Sequence, residues 1–168
     1  MSRHGLYEMD DWSVEEILQH GRYRGRVASA LRGKRGQAFL RNLIAALEAM
    51  PIDKRELAAD SFVASDGCMC ALSATLNHKG LPQPDDIDFD DCDDIDTAID
   101  HAAHYLNIAE VLAREVIWEN DGFAIPNTQA DQIAWRTRTF TNRHPPQYVR
   151  RKRWGAVLQW ARTRLTHD

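Results

Sequence analysis

Apolar residues recur at intervals of three and four along most of this chain, so the elements it predicts are mainly helices. Ser13 and Glu16 have the spacing of a capping box and open a short helix through about His20, with Val14, Ile17 and Leu18 on its apolar side and Gly21 as its stop. Val27, Ala28 and Leu31 continue at helical spacing, and Gly33 and Gly36 then impose a bend. From Gln37 to Ala49 the positions Phe39, Leu40, Leu43, Ile44, Ala46 and Leu47 mark the clearest helix of the first half, which Pro51 ends.

Leu57, Phe62 and Val63 precede the turn signal Ser65-Asp66-Gly67, which leaves room for a short strand or irregular hairpin over residues 55–64. Met69, Leu72 and Leu76 line a helix closed by Gly80 and Pro82. An acidic linker occupies about 81–95, and Asp94 or Asp96 is placed to cap a helix carrying Ile99, Ala102, Ala103 and Leu106 inward until Asn107 interrupts it. Ile108, Val111, Leu112, Val116 and Ile117 form the next apolar stripe, which Asn120-Asp121-Gly122 stops. Thr128 with Asp131 caps a shorter helix through Trp135, and Pro145-Pro146 suits the first turn of a last helix with Trp154, Val157, Leu158, Ala161 and Leu165 inward. The fold class expected is therefore mainly α: one compact multi-helix domain over residues 1–168, with at most one short β-hairpin.

A length of 168 residues and a 43% hydrophobic share are enough for a packed core without disulfides or metal. Residues 1–11 have no apolar run of the signal-peptide kind, and the apolar stretch Leu43 to Met50 is far short of the roughly 20 residues that span a bilayer. Three cysteines, Cys68, Cys70 and Cys92, match no disulfide scaffold, so the expected location is a reducing cytoplasm, with no membrane partner.

Charge changes the picture more, because the net −4 is unevenly distributed. Residues 1–55 carry +3 (10 Lys and Arg against 7 Asp and Glu), residues 56–134 carry −15 (2 against 17), and residues 135–168 carry +8 (9 against 1). Arg22, Arg24, Arg26, Arg32, Lys34, Arg35 and Arg41 occur with no acid between them, and Arg150, Arg151, Lys152 and Arg153 form a second basic run. Both are candidate sites for phosphates or an acidic partner. Asp85, Asp86, Asp88, Asp90, Asp91, Asp93 and Asp94 make the opposite, acidic surface.

Candidate chemistry is thin. Cys68, Cys70, His78, Cys92, His101 and His104 include enough donors for zinc but show no Cys-x-x-Cys spacing. Asp86, Asp88 and Asp90 alternate as in a calcium loop, yet Asp91 stands where that loop needs glycine and Thr97 where it needs glutamate. No nucleophile elbow, phosphate loop or dinucleotide fingerprint is present, so no catalytic residue, metal site or cofactor is assigned. Trp135, Trp154 and Trp160 lie among arginines, an interleaving that base stacking can use; Trp154 falls on the apolar stripe, and Trp160 is expected to be partly buried.

The run from Gly25 to Arg41, with Arg26, Arg32, Gly33, Lys34, Arg35 and Gly36, resembles a segment of small phage and proteobacterial prophage proteins of unknown activity. The likeness continues through Asp66-Gly67, Cys70-Ala71-Leu72, Ile108-Ala109-Glu110 and Glu119-Asn120-Asp121 into the last helix, and the acidic linker departs from it. More distantly, the Asp66-Gly67, Cys70-Ala71-Leu72 and Asn120-Asp121 elements are similar to a bacterial family of comparable size. The resemblance implies a phage or prophage accessory protein and supplies no catalytic residue. The leading expectation is a non-enzymatic protein that binds a host protein or ribonucleoprotein complex and inhibits a defence or nucleic-acid-processing function. The alternatives are direct DNA or RNA binding through the basic bend and last helix, and a metal-dependent hydrolase using Asp88, His101 or His104.

Overall fold

In the computed structural model, residues 13–59, 61–84, 92–121 and 146–166 are described. They form six α-helices: α1 Val14–Arg32, α2 Lys34–Ala49, α3 Ala71–His78, α4 Cys92–Leu106, α5 Glu110–Asp121 and α6 Pro146–Arg164, with a 3-10 turn at Ile52–Lys54. All six contribute to one apolar cluster, from Val27 and Leu31 of α1 to Val157, Leu158, Trp160 and Ala161 of α6. The mainly α reading of the sequence is what the chain adopts. Helix α2 packs on α3 and α6, α5 packs on α1, α4 and α6, and α3 joins the two groups.

The capping box is present: the Glu16 amide donates to Ser13 Oγ at 3.3 Å, and the Ser13 amide donates back to Glu16 at 2.8 Å. The helix it opens does not end at Gly21. It runs through Gly21 and Gly25 to Arg32, because a mid-helix glycine costs only about 1 kcal/mol while Val27 and Leu31 anchor the later turns in the core. One consequence corrects the expected core. Val14, Ile17 and Leu18 are 75%, 38% and 54% exposed, and no residue from Ser13 to Arg22 is buried.

The bend falls at Gly33, which is extended (φ −68°, ψ 153°) between α1 and α2. Here the two helices meet so closely that a methyl group on Gly36 would lie 2.0 Å from the Ala30 carbonyl oxygen, so only glycine fits. Buried Gln37 ties the corner. Its amide nitrogen donates to Leu31 O at 2.7 Å and Arg164 O at 3.1 Å, and its oxygen accepts from the Thr166 amide at 2.8 Å and Thr166 Oγ1 at 3.0 Å. One side chain thereby satisfies the carbonyl ends of both α1 and α6.

The hairpin reduces to a single antiparallel bridge, Val63 to Met69, with the Cys70 amide donating to Phe62 O at 2.9 Å. Cys70 then caps α3, its sulfur accepting from the Ser73 amide at 3.5 Å. Asn107 takes a left-handed conformation (φ 54°) and closes α4, with the Ile108 amide reaching back to Ala103 O at 3.0 Å. Two boundaries differ from expectation. Helix α4 begins at Cys92, so Asp94 and Asp96 lie inside it and the acidic linker is helical from residue 92. Helix α5 continues through Asn120 and Asp121, because Asn120 is fully buried in a tertiary role described below. The expected helix from Thr128 to Trp135 lies outside the described residues, as do Asp85, Asp86, Asp88, Asp90 and Asp91.

Candidate functional site

The two basic runs, equivalent in the sequence, have different fates. On α6, Arg150 pairs with Asp66, Arg151 with Glu56 at 3.5 Å, Arg162 with Glu48 at 2.5 Å and Arg164 with Glu119 at 3.8 Å. Arg153, expected on the surface, is buried and donates to Leu57 O at 2.8 Å. Lys152 sits over the Tyr148 ring at 5.4 Å. These charges join α6 to the 48–66 segment and, through Arg164, to α5. Arg153 is thus drawn into the core and Arg150 into an ion pair with the hairpin, while Arg151 stays exposed beside Glu56.

The α1–α2 corner is otherwise. Arg22, Arg24, Arg26, Arg32 and Lys34 are exposed and form no ion pair among the described residues. Arg35 makes one long neutral contact, Nη1 to Asn107 Oδ1 at 3.4 Å. The backbone of the corner is held by the close approach at Gly36 and by the Gln37 hydrogen bonds. Helix α2 starts at Gly33 with no side-chain cap, so the positive end of its dipole adds to the same field. Asp93 and Asp94 belong to α4 by their backbone; of the expected acidic surface, no other member is described.

Neither Trp154 nor Trp160 presents a free face for base stacking. Trp160 is 6% exposed and covered by the Arg164 guanidinium at 4.8 Å, while half-buried Trp154 donates to Leu47 O at 3.0 Å beneath Arg55. The burial expected of the pair is therefore reversed. Trp135 lies outside the described residues.

A concavity of about 430 Å³ lies at the far end of α2, between Met50, Glu56, Asp66, Cys68, His78 and Arg150. Its thiol is not primed for nucleophilic work. Burial raises the Cys68 pKa despite nearby Arg150, and complete burial pushes Cys70 up to about 12. His101 Nε2 lies 3.2 Å from Pro82 O, and its ring and that of His104 both pack on Tyr105. Among the described residues no three His, Cys, Asp or Glu side chains converge as a metal site would require. No described helix is long and apolar enough to cross a membrane.

Sequence reasoning missed the two buried amides that organise these surfaces. In the sequence Gln37 marks only the start of a helix, yet once buried its carboxamide must find hydrogen-bond partners. Asn120 was read as a helix stop. It is fully buried: its nitrogen donates to Ala58 O and to Asp121 Oδ1, each at 2.8 Å, and its oxygen accepts from the Ala71 amide at 3.2 Å.

Comparison with family models, curated proteins and solved structures finds no match to this chain. What its surface can do then rests on its own chemistry.

Proposed function

We propose that this chain is a non-enzymatic accessory protein, of the phage or prophage kind, that works in the bacterial cytoplasm by docking onto an anionic face of a host protein or ribonucleoprotein complex. The observation that carries this reading is the contrast between the two basic runs. Those of α6 are engaged with internal acids and carbonyls, whereas Arg24, Arg32, Lys34 and Arg35 present charge outward from a rigid corner. Uncompensated exposed charge of one sign steers an oppositely charged partner and fixes its register. The resemblance over Gly25 to Arg41 supports the same segment.

The test is tagged purification from a host expressing either the native chain or the Arg32→Glu/Arg35→Glu variant. A host complex recovered in stoichiometric amount with the native chain and lost with the variant, at unchanged melting temperature, is the expected result. Equal recovery with both removes the corner from the mechanism.

Direct nucleic-acid binding is the second reading, favoured by the same unpaired guanidinium groups. It requires gel retardation of DNA or RNA that weakens steeply with salt, since each phosphate contact releases a counterion. No retardation at low salt ends it. The metal-dependent hydrolase has no supporting cluster among the described residues, and Asp88 lies outside them.

A further inference from the structure

The exposed half of α1 is the feature that docking through the corner does not use. At about 100° per residue, Val14, Leu18, Gly21 and Gly25 fall within about 60° of one another, opposite the Tyr23–Val27 face that packs on the body. Two are large and two have no side chain. The space above both glycines is open, with nothing within 4 Å of the position a Cβ would take. Glu15, Arg22 and Arg26 lie together along one flank of this row, and Ile17 and Arg24 along the other. The capping box keeps this half helical although none of it is buried.

We propose that this face pairs with the same face of a second copy of the chain, antiparallel about a two-fold axis near residues 19 and 20. A two-fold contact is self-complementary, so residue i of one copy meets residue j of the other and the reverse. With the axis there, Leu18 faces Gly21 of the other copy and Val14 faces Gly25, large groups into gaps on both sides. In an antiparallel two-fold pair each flank meets its own symmetry mate. Glu15 then lies between Arg22 and Arg26 of the other copy, and Ile17 packs on the stem of Arg24. Shape and charge match in one register.

A second copy is favoured over an unrelated acidic partner because this helix itself supplies both the protrusions and the recesses, and both the carboxylate and the guanidinium groups. The pairing sets one carboxylate against Arg22 and Arg26 of the other copy, offsetting half of their charge, and leaves Arg32, Lys34, Arg35 and the head group of Arg24 for an outside partner. It also sets the two cationic corners roughly 40 Å apart, from about 13 residues of rise on either side of the axis. A contact of about 12 residues per helix is small by the standard of stable interfaces, so the dimer is expected to be reversible.

Sedimentation velocity of the full chain from about 1 to 200 µM reads this directly. The expected result is a monomer–dimer equilibrium within that range. Leu18→Glu and Glu15→Arg should each raise the dissociation constant at least tenfold, with the circular dichroism spectrum unchanged because both positions are exposed. Glu15→Arg combined with Arg22→Glu and Arg26→Glu should bring the dimer back. A monomer at every concentration, or a dimer indifferent to Leu18→Glu, would overturn the proposal. So would a triple variant that stays monomeric, since it denies the antiparallel register. Host-complex recovery tested with Arg32→Glu/Arg35→Glu is independent of all three outcomes.

Discussion

Replacing Asn120 by alanine should unfold this protein more readily than its small change in volume suggests. The carboxamide joins three pieces of chain: the Ala58 carbonyl before the hairpin, the Ala71 amide in the first turn of α3, and the end of α5. Truncation removes both links and leaves a buried amide and a buried carbonyl without these partners. Each such loss costs about 1–3 kcal/mol, and the two together about 2–6 kcal/mol. Against a total stability of about 5–15 kcal/mol for an ordinary domain, that is a large fraction. Urea unfolding followed by circular dichroism measures it, read as a lowered midpoint at constant slope. Asn120→Asp is the sharper variant. It keeps an oxygen for the Ala71 amide but turns another oxygen toward Ala58 O beside the Asp121 carboxylate, and should be at least as damaging as alanine. A loss below about 1 kcal/mol for both would refute the clamp, since that is no more than an average hydrogen bond contributes.

Gly36→Ala should cost upwards of about 2 kcal/mol, because its methyl group meets backbone at a helix crossing, whereas Gly155→Ala, with open space in the middle of α6, should stabilise by about 0.5–1 kcal/mol; thermal unfolding of the pair separates sterics from helix propensity. Burial first, and then the Glu115 charge, raise the Tyr23 pKa from 10.0 to about 12. A folded pKa above the unfolded value means its stabilising contribution is complete below about pH 10 and is lost as pH rises toward about 12, so alkaline unfolding followed with tyrosinate absorbance should lose this component in Tyr23→Phe. Cys70, held protonated by burial, should resist alkylation at pH 8 until the chain unfolds, as peptide mapping after iodoacetamide treatment would read; rapid native labelling would contradict its place at the α3 cap.

The helices were legible where one face alone decides the outcome. In α2 the residues Phe39, Leu40, Leu43 and Leu47 recur as a buried row, and Gly33 with Gly36 announces the corner. Asn107 could be read because asparagine tolerates the left-handed conformation that ends α4. Gly21 misled because a local penalty was weighed without the core contacts six and ten residues later that carry the helix through it. The same error placed Val14, Ile17 and Leu18 inside: an apolar spacing identifies a face but not what covers it. The fates of Arg150 and Arg153 were invisible for another reason. Their partners, Asp66 and Leu57, lie 84 and 96 residues away in the chain, far beyond any periodic window. Charge runs therefore located two candidate surfaces, and only tertiary pairing could distinguish the corner from the strut.

The Gln37 knot has a consequence for biosynthesis. Its hydrogen bonds to Arg164 and Thr166 close over 127 and 129 residues. At about 5–20 residues per second, a ribosome adds the second half of that knot roughly 6–26 s after the first. During that interval the junction of the first two helices carries an amide whose oxygen awaits its Thr166 donors, and the arginines around it sit on an unfinished hinge. Recognition that depends on a rigid arrangement of those guanidinium groups would be withheld from the nascent chain and granted only to the finished one.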